Sequence, residues 1–331
     1  MSERLSPTRV AAIWAAALVL LAVAAVSVII LVNHTTFGPS QKVRELQAHL
    51  VAGEGAQALG MLNATVPEGN GLLLDGDGLR AASAEIRDFT VGKPEHLPGS
   101  GKVVQVTASY TVHGTEQQTS YSLQSVGRSW LFFDRWNFVP SILPTVEVSA
   151  STTNEVDING LPAPLENGKT TIPVFAPSVV NAGFETQNFA ADSRGIAVTD
   201  PNAQGTAVKL QTEPTKALVE EVNGQIKKYL DDCASQQVLM PASCPMSYST
   251  SARVRSDSIH WSILDYPKAE IVSYNGEWAL RPLTVKTRLQ VTEQDLRTGA
   301  SSEHSFDEAF GFTAELKAGT TKARVIPVAS E

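Results

Sequence analysis

The sequence predicts an α+β protein with an N-terminal transmembrane helix, and three observations carry that reading. One uncharged apolar run stands near the start. Two blocks place helical spacing ahead of apolar–polar alternation, and a turn-rich stretch of short alternating pieces separates them. At 331 residues, 43% hydrophobic and 18% charged, the chain has room for two or three such modules.

Residues 10–32, VAAIWAAALVLLAVAAVSVIILV, contain no charge and no proline. As a helix they would reach about 34 Å, enough for a hydrocarbon core of about 30 Å. A cleaved signal peptide has a shorter apolar core and a small-x-small end, whereas this run closes on bulky VIILV. Arg4 and Arg9 precede the run and no Lys or Arg follows before Lys42, which orients residues 1–9 as a cytoplasmic tail. The expectation is therefore a single-pass protein of the cell membrane, in contact with membrane lipid through residues 10–32, with its C-terminal bulk extracytoplasmic. Cys233 and Cys244, separated by ASQQVLMPAS, are expected to form a disulfide, since no Cys or His stands close enough in sequence to complete a metal site. A net charge of -8 without a basic cluster argues against a nucleic-acid partner.

Residues 39–140 open with helical spacing. Val43, Leu46, Leu50 and Val51 mark a first helix ended by Gly53, and Ala56, Leu59 and Leu62 a second. LLLDGDGLRAASAEIRDFTVG reads as a short helix running into a strand. The period then changes to two: Val104, Val106, Ala108, Tyr110 and Val112 point one way while Gln105, Thr107, Ser109, Thr111 and His113 point the other. QQTSYSLQSV, with Thr119, Tyr121 and Leu123 inward, and SWLFFDRWNF complete an antiparallel meander with one apolar face.

These stretches, QKVRELQAHLVAGEGAQALGML, LLLDGDGLRAASAEIRDFTVG and the closing SWLFFDRWNF, resemble the NTF2-like domains carried by single-pass envelope proteins of Gram-positive bacteria. The resemblance implies helices packed on a curved antiparallel sheet over residues 39–140. It also implies a binding or scaffold role in the cell envelope, with an envelope protein or cell-wall component as partner.

Past Pro140 and Pro144, residues 141–212 lose helical periodicity. Short alternating pieces and turn pairs at Asn159-Gly160 and Asn167-Gly168 predict a small all-β module. It is similar to the middle modules of the same envelope proteins at Ile158–Gly160, and more loosely over residues 174–180. Residues 213–331 restart with a helix from Pro214, whose buried face is marked by Leu218, Val222, Ile226, Tyr229 and Leu230, and continue as strands. The repeated order of helix then sheet suggests a second NTF2-like domain carrying the disulfide.

In SWLFFDRWNFVP the aromatics Trp130, Phe132, Trp136 and Phe138 fall on alternate positions, with Asp134 in the same row. An isomerase- or dehydratase-like pocket would set such a carboxylate, or Asp88, beside Tyr110 or Tyr121, with His113 a further possibility. The competing reading is a bulge or bend with the carboxylate at solvent and the rings in the core. LDGDGL, residues 74–79, reads as a helix start in preference to a calcium loop. His304, Asp307 and Glu308 in HSFDE read as a solvated turn in preference to a metal site. No phosphate loop, dinucleotide fingerprint, HExxH or GxSxG is present, and no cofactor is called for. The expected function is non-enzymatic binding or scaffolding; the alternative is a small-molecule carrier or enzyme with an apolar cavity.

Overall fold

The computed structural model describes residues 7–35, 37–96, 99, 101–129 and 133–328. The chain is α+β and divides into two compact units. One comprises Met1–Ala150, Asn154–Gly183 and Ser193–Leu210, the other Ser151–Thr153, Phe184–Asp192 and Gln211–Glu331.

The N-terminal apolar run forms helix α1 (Pro7–Thr35), but the expectation of a transmembrane helix over residues 10–32 is overturned. Among the described residues no helix is long and apolar enough to cross a membrane. The single-pass placement read from that span is corrected with it.

In the first unit, α2 (Pro39–Ala52) buries Val43, Leu46 and Leu50, one stripe at helical spacing. It stops at Gly53, whose φ of 74° lets its N–H reach the carbonyls of His49 and Leu50. Helix α3 (Gly55–Leu62) buries Ala58 and Leu62, and α4 (Gly76–Ser83) buries Leu79 and Ala82. LDGDGL is thus a helix start: Asp75 precedes α4 and its Oδ1 accepts the Gly55 N–H at 2.8 Å.

That junction leaves no room for a methyl group. A Cβ on Gly55 would sit 1.7 Å from the Leu74 carbonyl oxygen, so Gly55→Ala is expected to destabilise the unit by about 1–3 kcal/mol. Gly60, on the same helix, has nothing within 4 Å of its Cβ position. Gly60→Ala should stabilise by roughly 0.5–1 kcal/mol through helix propensity alone. Urea midpoints of the two variants moving in opposite directions would check both.

The helices cover a meander of β1 (Arg87–Val91), β2 (Glu95–His96), β3 (Val103–Val112), β4 (Thr115–Ser129) and β5 (Phe133–Phe138), ordered β1-β3-β4-β5 with β2 also on β3. β3 and β4 pair without interruption from Val103↔Gln124 to Val112↔Thr115. The buried row of β3 is the one its alternation predicts, Val104, Val106, Ala108, Tyr110 and Val112. Between β4 and β5 the register slips at residues 125–127, where Gly127 has a φ of 122°.

The remainder of the unit is strand and turn. β6 (Thr145–Ser149) runs antiparallel to β9 (Lys169–Pro173) and parallel to β12 (Thr206–Lys209). β7 (Glu155–Ile158) and β8 (Leu161–Pro164) form a hairpin turned at Asn159-Gly160. β10 (Ser178–Glu185) pairs with β7 through Ala182↔Ile158, and β10 and β11 (Phe189–Val198) each have residues in both units. In the segment between β9 and β10, Val174, Phe175 and Ala176 are all buried, and Phe175 joins the cluster formed by Leu46, Val104, Tyr121 and Leu123.

In the second unit β13 (Glu213–Pro214) pairs with residues 189 and 190 of β11. Helix α5 (Lys216–Ala234) follows, with Thr215 as its N-cap accepting from Leu218 N–H; Pro214 therefore lies before the helix and not inside its first turn. The helix buries Leu218, Val222, Ile226, Leu230 and Cys233. Its sheet contains β14 (Arg253–Val254), β15 (His260–Asp265), β18 (Leu283–Gln294), β19 (Ser301–Ala318) and β20 (Ala323–Val328), ordered β14-β18-β19-β20 with β15 also on β18. β16 (Ile271–Tyr274) and β17 (Glu277–Leu280) form a separate hairpin turned at Asn275-Gly276. Gln225 on α5 accepts from Val325 N–H and donates to the Ala323 carbonyl, so one amide side chain satisfies backbone groups of β20. Cys233 and Cys244 are joined in a disulfide.

Candidate functional site

Tyr110 and Tyr121 lie on neighbouring strands with both side chains in the core of the first unit. Thr119 Oγ1 donates to the Thr199 carbonyl at 2.7 Å, so its remaining lone pair accepts from Tyr110 Oη, also at 2.7 Å. Tyr121 Oη donates to the Ala176 carbonyl at 2.7 Å, and Phe138 meets its ring edge-on with centroids 5.7 Å apart. Both hydroxyls are thus spent on the fold.

Burial pushes the Tyr121 phenol well above the ordinary tyrosine range, with Tyr110 nearby adding to the effect. Burial also raises Tyr110, against a smaller lowering by Thr119. The unfolded chain releases these protons near pH 10 while the folded core retains them. Stability from this source is therefore full below about pH 10 and is lost as pH rises towards the folded-state values. In an alkaline titration the phenolate absorbance of these two tyrosines should appear only as folded structure disappears, and that late step should be missing in Tyr110→Phe/Tyr121→Phe. Phenolate formation by both while the far-ultraviolet signal persists would contradict it.

The candidate carboxylates lie elsewhere. Asp88, at a φ of 53° within an irregular part of β1, accepts from Thr111 Oγ1 at 3.0 Å in an exposed contact. Asp134 is half-buried on β5 and accepts from Arg128 Nε at 3.2 Å across the strand pair. Neither is a hydrogen-bond partner of Tyr110 or Tyr121. In the row that holds Asp134, Trp136 is half-buried and Phe138 buried, while Trp130 and Phe132 lie outside the described residues.

His113, at the β3–β4 turn with a φ of 49°, contacts the Glu85 carboxylate, which also accepts from Asn181 Nδ2. Asn181 N–H donates to Asn159 Oδ1, and Asn159 Nδ2 to the Val179 carbonyl, each at 2.9 Å. Sequence reasoning found the Asn159-Gly160 turn but not this cluster, because its members lie far apart in the chain and share no motif. HSFDE is corrected from turn to strand: it lies on β19, where His304 and Glu308 share one face and Asp307 the other. Asp307 takes a two-point ion pair from Arg288, at 2.6 and 2.7 Å. Among the described residues no group of three or more His, Cys, Asp or Glu could hold a metal ion.

Open clefts remain beside β5. One of about 340 Å³ is lined by Gln41, Lys42 and Glu45 of α2 and by residues 134–137. A second of about 650 Å³ continues past Trp136 along α3, with Met61 and Phe138 in its wall. No protein-family model matches this chain, and no curated protein matches it. The groove along β5 is where strand, helix and charge converge.

Proposed function

We propose that the chain is a non-enzymatic binding or scaffold protein whose partner is another protein. The observation that carries this reading is the filling of the first unit's sheet face. Where a pocket enzyme would set a carboxylate beside a tyrosine, Phe175 is buried in the cluster and both tyrosine hydroxyls bind the chain's own groups. The order of helices then meander, which underlies the resemblance to NTF2-like domains, supports the same reading by analogy of fold. The clefts outside that core are bordered by Lys42, Glu45, Asp134 and Arg135, a charged rim suited to macromolecular contact.

The test is photo-cross-linking of the full chain in cells that make it, with native mass spectrometry of the purified protein alongside. A reproducible protein cross-link at defined surface positions, with no stoichiometric small molecule, is the expected result. A co-purifying small molecule that protects Tyr110 and Tyr121 would overturn it in favour of a carrier or enzyme.

A further inference from the structure

We infer that the free edge of β5 is a site of β-strand addition for an extended, acidic peptide segment of the partner. This rests on the binding reading above and names what is bound and where. Among the described residues β5 ends the order β1-β3-β4-β5 with β4 as its one strand partner, while the end of α1 approaches it and Phe37 and Gly38 form part of the opposite wall of the cleft. The cleft is lined by four consecutive residues, Asp134 to Asn137. Successive side chains of a strand point to opposite faces, so a groove that meets all four opens on the strand's edge and not on one face.

The register identifies which backbone groups are offered. Val139 N–H donates to the Ser122 carbonyl, so the residues of β5 alternate from there, with Asn137 turned to β4 and Trp136 turned to the free edge. A peptide strand would exchange its two central hydrogen bonds with Trp136. Its residue opposite Trp136 would share that residue's face, against Met61 and Phe138, and would be apolar.

The flanking positions face Arg135 and Asn137. Lys42 is neutralised by Glu45 at 2.8 Å, and Asp134 by Arg128. Arg135 is exposed and has no ion-pair partner among the described residues. An acidic side chain opposite Arg135 satisfies it, giving the partner the pattern acidic–apolar–polar. A second copy paired symmetrically about Arg135 would set two guanidinium groups face to face, which disfavours that register.

The probe is a short fluorescein-labelled peptide of alternating serine and valine with one glutamate beside the central valine, titrated into the full chain by anisotropy. A matched peptide carries lysine in place of glutamate. The glutamate peptide is expected to bind the better of the two, and Arg135→Glu to weaken it roughly tenfold while reversing the preference. N-methylation at the central valine should cost at least about tenfold, whereas methylation at the adjacent residue, whose N–H points away from β5, should cost little. Amide exchange at Trp136 and Phe138 should slow on binding.

Absence of binding, equal effects of the two methylations, or a concentration-dependent dimer that protects β5 would each overturn the inference. Its failure is separable from failure of the binding reading. If Arg135→Glu leaves the cellular cross-link intact, the partner binds elsewhere and only the β5 assignment is lost.

Discussion

Replacing Phe175 by alanine is expected to destabilise the first unit by about 3–5 kcal/mol, the usual cost of truncating a fully buried phenylalanine. The residue is 1% exposed and belongs to the cluster that holds α2 against β3 and β4. Its neighbour Ala176 supplies the carbonyl that Tyr121 Oη needs, so a shift of this segment also threatens a buried hydroxyl. Phe175→Leu, which keeps most of the volume, should cost clearly less. Because the chain has two units, the loss should be read from hydrogen exchange of β3 and β4 amides and not from a global signal. Partial rescue of the alanine variant by benzene would show that an apolar void replaced the ring. An unchanged exchange rate would mean that the sheet face is not closed by this side chain, and the argument against an internal pocket would fail with it.

Loss of the Cys233–Cys244 bridge is the second large effect, expected at about 3 kcal/mol in the second unit from loop closure alone. The bridge spans 11 positions and starts from Cys233, which is buried at the end of α5. The loop it closes is tied down at several points: Trp261 Nε1 donates to the Val238 carbonyl and Tyr229 Oη to the Ser243 carbonyl, each at 2.8 Å. Tyr248 N–H donates to the Leu239 carbonyl at 2.9 Å. These bonds keep the folded loop in place without the bridge, so the effect should fall on the unfolded chain. A Cys233→Ala/Cys244→Ala variant, and the wild type under reductant, should lose the same amount in urea titrations followed by α5 and β18 amides. A variant as stable as the oxidised wild type would rule out the bridge as a stabilising element.

Legibility in the sequence tracked regularity. The buried row of β3 was readable because a strand with one wet face alternates with period two, and the α2 stripe because a covered helix repeats near 3.6. Phe175 was not readable as core. It sits in an irregular segment with no period, and only the packing of that segment under β4 buries it. Asp134 looked like an acid in an aromatic row, yet the pairing of β4 with β5 sets it beside Arg128, six positions earlier in the chain. Length and composition of the N-terminal apolar run predict a membrane span, yet among the described residues no helix is long and apolar enough to cross a membrane.

By itself, then, the amino-acid order determined the α+β class, the main helices and strands, and the pairing of the two cysteines, because each depends on neighbours within a few residues or on a single short loop. The tertiary structure alone decided that the sheet face is filled, that the two tyrosines serve the core, and that a cleft lined by Asp134 to Asn137 runs beside β5. Those outcomes come from residues brought together across many positions, where neither periodicity nor propensity reaches.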